Sequence, residues 1–252
     1  RGHPWVINRL GVNPTESAAR FEEGIRMLVE IFKGEYIENL DGEFWQLRDF
    51  KLSPMPVQRP HPPIYTAAAT TPASASFAGK IGQGLVQPGY LGIPFELVRS
   101  LTETYRNNLP ATSKSDVVLG IHLHVARDRE QAIDNGALAL SSQAEVFLRG
   151  RLSRPVQTEQ IQTYASKSAS KEAFEKLHTQ EKARGAVAEE GSNIMAVWGT
   201  PDDCIEKIKF YVDSLQPEQL MVNIASGSLA QDKALKSMRL FAEAVMPAVR
   251  EL

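Results

Sequence analysis

The sequence predicts an α/β fold in which parallel strands alternate with helices that cover them. Three observations carry that reading. From residue 64 onward, short apolar runs alternate with longer segments of helical period, as β–α units do. Capping residues followed by proline, as at Thr200-Pro201, mark where helices begin. The chain has 252 residues, 42% hydrophobic and 23% charged, the size of one large α/β domain or two small ones. We read 1–252 as a single domain.

The elements follow in order. "NPTESAARFEEGIRMLVEIFKGE" is the clearest helix, with Asn13 as N-cap, Pro14 at the first helical position and Glu16 completing a capping box. Phe21, Ile25, Leu28 and Phe32 form its apolar face, and Gly34 ends it. "YIENLDGEFWQL" reads as a hairpin with a tight Asp41-Gly42 turn. "SPMPVQRPHPP" is too proline-rich for a helix or a sheet interior and reads as an extended connector. Then come strand "PIYTAAA" with a helix near 72–81, and strand "GLVQ" with helix "PFELVRSLTETYRNNL". Strand "DVVLGIHLHVA" precedes helix "REQAIDNGALALSSQAEVFL". Helix "TPDDCIEKIKFYVDSL" leads to strand "QLMVNIA" and a closing helix near 230–250. Residues 151–193 are polar and Ser/Lys-rich, and break this rhythm. They read as an insertion: a solvated excursion or a lid over a site.

Composition excludes several function classes. Lys and Arg number 28 against 30 Asp and Glu, so no basic excess points to nucleic acid or an anionic membrane surface. No apolar run approaches the roughly 20 residues a membrane-crossing helix needs. The one cysteine, Cys204, allows no internal disulfide, fits a reducing cytoplasm, and reads as a packing residue. The start, "RGHPWVINRLG", reads like a loop from inside a longer protein and carries no signal-peptide pattern.

The stretch "IYTAAATTPASASFAGK" crowds Thr70, Thr71, Ser74 and Ser76 where a strand hands over to a helix. An ordinary N-cap accounts for one hydroxyl. A phosphate seat accounts for several, because hydroxyls and unpaired N–H groups at a helix start suit an anion. Neither a Rossmann G-x-G-x-x-G nor a Walker A loop follows a predicted strand.

Four stretches, in this order, resemble the bacterial luciferase-like flavin monooxygenase family: "RGHPWVINRLGVNPTESAARFEEGI", "DGEFWQLRDFKLSPMPVQRPHPPIYTAAATTPASASFAGKIGQG", "VWGTPDDCIEKIKFYV" and "NIASGSLAQDKALKSMRLFAEAVMP". The resemblance is weakest across 127–193. It implies a (β/α)8 TIM barrel, with the first strands missing from this chain, that binds flavin mononucleotide (FMN) at the C-terminal ends of its strands. It implies an enzyme that uses reduced FMN and O2 to oxidise a small organic substrate. A separate flavin reductase and a homodimer or higher assembly are implied with it. A deazaflavin (F420)-dependent oxidoreductase and a non-catalytic flavin-binding protein stand as alternatives.

By the same resemblance, Arg1-Gly2 falls on the family's Arg-Gly loop, whose arginine pairs with the flavin phosphate, and Thr70, Thr71 and Ser74 fall on its phosphate cup. Ala68 and Ala69 fall beside the isoalloxazine ring. The chain departs from the pattern at Ala18, where some members carry a second phosphate-binding arginine; Arg20 stands two residues on. More of the charge neutralisation is left to Arg1. A guanidinium with two parallel N–H bonds, rotating hydroxyls and a helix dipole are the donors a phosphate needs.

No catalytic triad is evident, which suits chemistry carried by a cofactor. His3 and His124 are the candidate catalytic residues. Alternation in "VVLGIHLHVA" sends Val117, Leu119, Ile121, Leu123 and Val125 to the helix-facing side, and His122 and His124 to the other. A hydrogen-bonded core role is open to these histidines too. An H-x-H pair also suggests a metal-hydrolase barrel, but there are only five histidines in the chain, and we assign no metal. Trp5, Asn223 and Ser226 are further polar or aromatic candidates at the rim, and Trp198 reads as packing.

Overall fold

The computed structural model describes residues 10, 11, 13, 15–89, 93–152, 177–188, 195–224, 227–250 and 252. The described residues up to Ile64 form one compact unit, and those from Tyr65 onward form another.

In the first unit, helix α1 (Ser17–Phe32) starts later than its sequence suggests. The Asn13 carboxamide accepts from the Thr15 N–H at 3.1 Å and donates to Glu16 at 3.2 Å. These side-chain bonds hold a separate turn, closed by Glu16 N–H to the Asn13 carbonyl, and the regular helix begins only after it. Pro14 lies outside the described residues. The expected apolar face is only partly covered: Met27 is buried, whereas Leu28 is 42% exposed. Gly34 closes the helix as expected, with φ +76° and its N–H on the Ile31 carbonyl.

Strands β1 (Ile37–Asp41) and β2 (Gln46–Phe50) form the expected antiparallel hairpin, but its turn differs. Asp41 pairs with Gln46, so the loop has four residues, 42–45, in place of a tight Asp41-Gly42 turn. The reason lies in α1. The Glu23 carboxylate accepts the N–H groups of Glu43, Phe44 and Trp45 at 2.9, 2.9 and 2.8 Å. Desolvation pushes this carboxyl's pKa up, but the three N–H bonds outweigh it and leave it lowered. Residues 51–64 contain neither helix nor strand, as their prolines dictate.

The second unit is built on parallel strands. β3 (Tyr65–Ala67) pairs with β4 (Gly84–Gln87), and β4 with β5 (Val117–Val125). β5 also pairs with β6 (Ala196–Gly199) and β7 (Gln219–Asn223). β6 has no counterpart among the sequence-predicted strands. The helices are α2 (Pro72–Lys80), α3 (Phe95–Asn107), α4 (Arg129–Leu152), α5 (Gln180–Ala188), α6 (Pro201–Leu215), α7 (Gln231–Leu240) and α8 (Met246–Val249). Five residues of π-helix, Phe241–Val245, join the last two.

The alternation of β5 divides the core. Leu119, Ile121, Leu123 and Val125 pack with Ile208, Tyr211 and Leu215 of α6 and with Val245. Each such buried side chain contributes about 1.5–3 kcal/mol of transfer free energy. A second cluster puts Ala75, Ala78, Leu101 and Tyr105 of α2 and α3 over Leu85 and Val117. α4 and α5 meet through Ala137, Leu140, Ala144 and Ala183, against Trp198. The start of α6 is fixed as its sequence predicts. The Thr200 hydroxyl accepts from Asp203 N–H, and Asp203 accepts from Thr200 N–H at 2.9 Å. At its other end Gln216 is left-handed, and the Arg106 guanidinium donates to the carbonyls of Leu215 and Gln216. Cys204 is buried in this core, and burial pushes its thiol up to about 12, which makes it an inert packing residue.

Candidate functional site

Because the strands of the second unit run parallel, their C-terminal ends share one edge of the sheet. The hydroxyl turn follows β3 there, Gln87 ends β4 with Pro88 and Gly89 after it, His124 is next to last in β5, and Asn223 ends β7. β3 and β5 are two strand spacings apart, roughly 10 Å.

Thr71 occupies the N-cap position of α2, with Pro72 at the first helical position, but its side chain makes no cap hydrogen bond. The ordinary N-cap role is therefore not the one its hydroxyl plays. Thr70, Thr71 and Ser74 are all half-buried around this helix start. Ser76, also part of the hydroxyl run, turns away and donates to Asn108 at 3.2 Å. Ala68 is 1% exposed and packs in the cluster beneath α2 and α3. Ala69 is half-buried against the β5 core. Arg1, Gly2, His3, Trp5 and Ser226 lie outside the described residues, as does most of 151–193. Arg20 is engaged within its own unit: it pairs with Glu16 at 2.9 Å, and its guanidinium lies 4.6 Å from the Phe44 ring centre.

His122 and His124 sit opposite the apolar face of β5, as the alternation predicts, and both are buried. Burial lowers each imidazole to about 4, against the Gly89 backbone hydrogen bond at His122 and reinforced by Lys233 at His124. Both rings are neutral at neutral pH. Nε2 of His124 lies 3.1 Å from Asn135 Nδ2, and Lys233 Nζ donates to Asn135 Oδ1 at 2.8 Å. Asn135 and Lys233 do not stand out in the sequence. The one available signal is periodic: Asn135 is polar on a helix face otherwise made of Ala132 and Ala139. Among the described residues, no group of three or more His, Cys, Asp or Glu side chains is arranged to hold a metal ion. None of the described helices is long and apolar enough to cross a membrane.

The family model described as luciferase-like monooxygenase matches residues 1–216. The oxygenase component of the flavin-dependent trigonelline monooxygenase of Acinetobacter baylyi is 32% identical over 126 residues, 48% of this chain and 34% of that protein. The chain thus matches about a third of that relative's length. The crystal structure of monooxygenase RslO1 from Streptomyces bottropensis superimposes with a TM-score of 0.70 at 23% identity, covering 99% of this chain and 67% of that one. The coenzyme F420-dependent tetrahydromethanopterin reductase from Methanopyrus kandleri gives 0.62 at 19% identity, covering 98% and 72%. The fold is the TIM-barrel type of these neighbours, and the described residues supply five of its parallel strands.

Proposed function

Since the chain belongs to the luciferase-like monooxygenase family, we propose that it forms part of a flavin-dependent monooxygenase that seats the phosphate of reduced FMN on the hydroxyl turn. The observation that carries this is the N-terminus of α2. Thr71 stands at its cap position without capping it, and Thr70 and Ser74 flank it at the C-terminal edge of a parallel sheet. That donor set fits a phosphate. Arg1 and Gly2 complete the seat in this reading, and Ala68 and Ala69 lie beside the ring system. When bound, reduced flavin supplies the two electrons by which O2 is split between the oxidised substrate and water. The chain's residues anchor the phosphate, orient the ring system and exclude water. The 151–193 insertion serves as the lid. A separate reductase delivers the reduced flavin, and the working unit is a homodimer or larger.

Titration of the wild-type protein and the Thr71→Ala/Ser74→Ala variant with reduced FMN and reduced riboflavin tests this. FMN binds the wild type about tenfold or more tightly than riboflavin, which lacks the phosphate, and the variant loses that preference. Equal binding of the two flavins by the wild type rules the seat out. The F420 reading is favoured by one observation, the fold shared with an F420-dependent reductase. The absorption spectrum of the cofactor retained on purification separates the two. Consumption of O2 with reduced flavin across a substrate panel separates both from a non-catalytic flavin carrier.

A further inference from the structure

Among the described residues, β1 pairs with β2 alone, in a two-stranded sheet. In an antiparallel pair every second residue turns its N–H and C=O away from the partner strand. β1 therefore presents a row of unused backbone groups along its other edge. Proteins commonly blunt such an edge with lysine, proline or a bulge. β1 reads IENLD and has none of these: its pairs keep one register from Ile37 opposite Phe50 to Asp41 opposite Gln46.

A groove of about 430 Å³ runs along this edge. Every residue from 35 to 40 lines it and no residue of β2 does, which places it on the side of β1 away from β2. Glu30 and Lys33, at the end of α1, form the facing wall. Tyr36, 60% exposed and held by its hydroxyl on Asp49 at 2.7 Å, adds a ring to the lining.

Charge selects the occupant. Lys33 donates to Glu30 at 2.6 Å, and that pair is neutral. Glu35 and Glu38 are exposed and have no ion-pair partner among the described residues, so the groove keeps two uncompensated negative charges. The β1 of a second copy would bring its own Glu35 and Glu38 into the same groove, and like charges across a strand pair repel. A strand with lysine at alternate positions meets both demands: its backbone pairs with the free edge, and its ammonium groups face the carboxylates. The lysine stems have the Tyr36 ring to lie on.

We propose that the groove between the end of α1 and the free edge of β1 takes an extended, lysine-bearing segment of a partner protein as a third strand of the hairpin sheet. This surface is independent of the flavin reading, since it uses none of the residues assigned to the cofactor.

The test uses the wild-type protein and the peptide acetyl-Thr-Lys-Val-Lys-Val-Lys-Thr-amide, with its glutamate counterpart as control. The lysine peptide binds, slows hydrogen–deuterium exchange across residues 37–41, and is weakened by added salt. The glutamate peptide binds about tenfold more weakly or not at all. The Glu35→Lys/Glu38→Lys variant, its fold checked by circular dichroism, reverses that preference. A lysine peptide N-methylated at both valines, which cannot pair as a strand, loses binding. Binding kept after N-methylation, a preference left unchanged in the variant, or no binding by the wild type overturns the proposal. So does slow exchange across 37–41 without peptide: in a self-associating protein it gives the edge to a second copy, and in a monomer to another segment of the same chain.

Discussion

Gly89 rests directly on the backbone of Gly120, so closely that a Cβ at position 89 would collide with the Gly120 carbonyl. Gly89 has φ +62°, and a Cβ at Gly120 would in turn come within 2.7 Å of the Pro88 backbone. This contact lets the chain leaving β4 cross β5 at the point where the His122 ring meets the Gly89 backbone. Gly120→Ala should destabilise the fold by about 1–3 kcal/mol, read as a lower urea midpoint at unchanged slope.

The two threonines that precede Pro72 and Pro201 should behave differently. Thr200 makes both halves of a capping box, so Thr200→Ala should cost about 1 kcal/mol of stability. Thr71 makes no cap bond, so Thr71→Ala should cost less than about 0.5 kcal/mol. Paired denaturant titrations check the contrast. Equal losses would mean that the Thr71 hydroxyl supports the helix after all.

Acid should weaken the fold before the carboxylates titrate. His122 and His124 are held near pKa 4 in the folded state, below the ordinary value of about 6.5. Between these values the unfolded chain binds more protons. The stabilisation is therefore complete above pH 6.5 and is lost as pH falls toward 4. The loss approaches about 3 kcal/mol per histidine at the limit. Unfolding free energy measured from pH 7.5 down to pH 4.5 should fall in the wild type, and fall less steeply in His122→Gln/His124→Gln.

At the opposite edge of the sheet, Tyr65 donates to Asp116 at 2.6 Å, and Gln219 reaches both, at 3.0 and 3.1 Å. The carboxylate acceptor raises the Tyr65 pKa. This network ties the starts of β3, β5 and β7 and stands away from the hydroxyl turn. Tyr65→Phe should cost about 1 kcal/mol and leave flavin affinity unchanged. A calorimetric binding measurement beside a thermal melt would separate the two effects.

What was legible in the sequence was local. β4 spans the residues read from "GLVQ", α6 begins at Thr200 with the cap its sequence spells out, and β5 sends its histidines to the side opposite its apolar residues, because each depends on neighbours a few positions away; that α4 and α7 cover the histidine side as well was not foreseen. What escaped was set by distant partners. The hairpin loop widened because Glu23, some twenty residues earlier, supplies the acceptors. β6 is four residues long, too short for a period to show, and is held by its register on β5. Of the candidate site, the hydroxyl turn and His124 were visible as residue types in strand-end positions. Asn135 and Lys233 were not, because their roles exist only once α4 and α7 bring them to β5.

The pairing of β5 with β7 has a consequence for biosynthesis. About a hundred residues must be translated after Val117 before Gln219 can join it, and the Arg106 guanidinium likewise waits for Leu215 and Gln216. Through that interval the middle of the nascent polypeptide carries an open, apolar edge on the ribosome. That is the surface a chaperone would hold, and slowing translation between the two segments should raise the aggregated fraction.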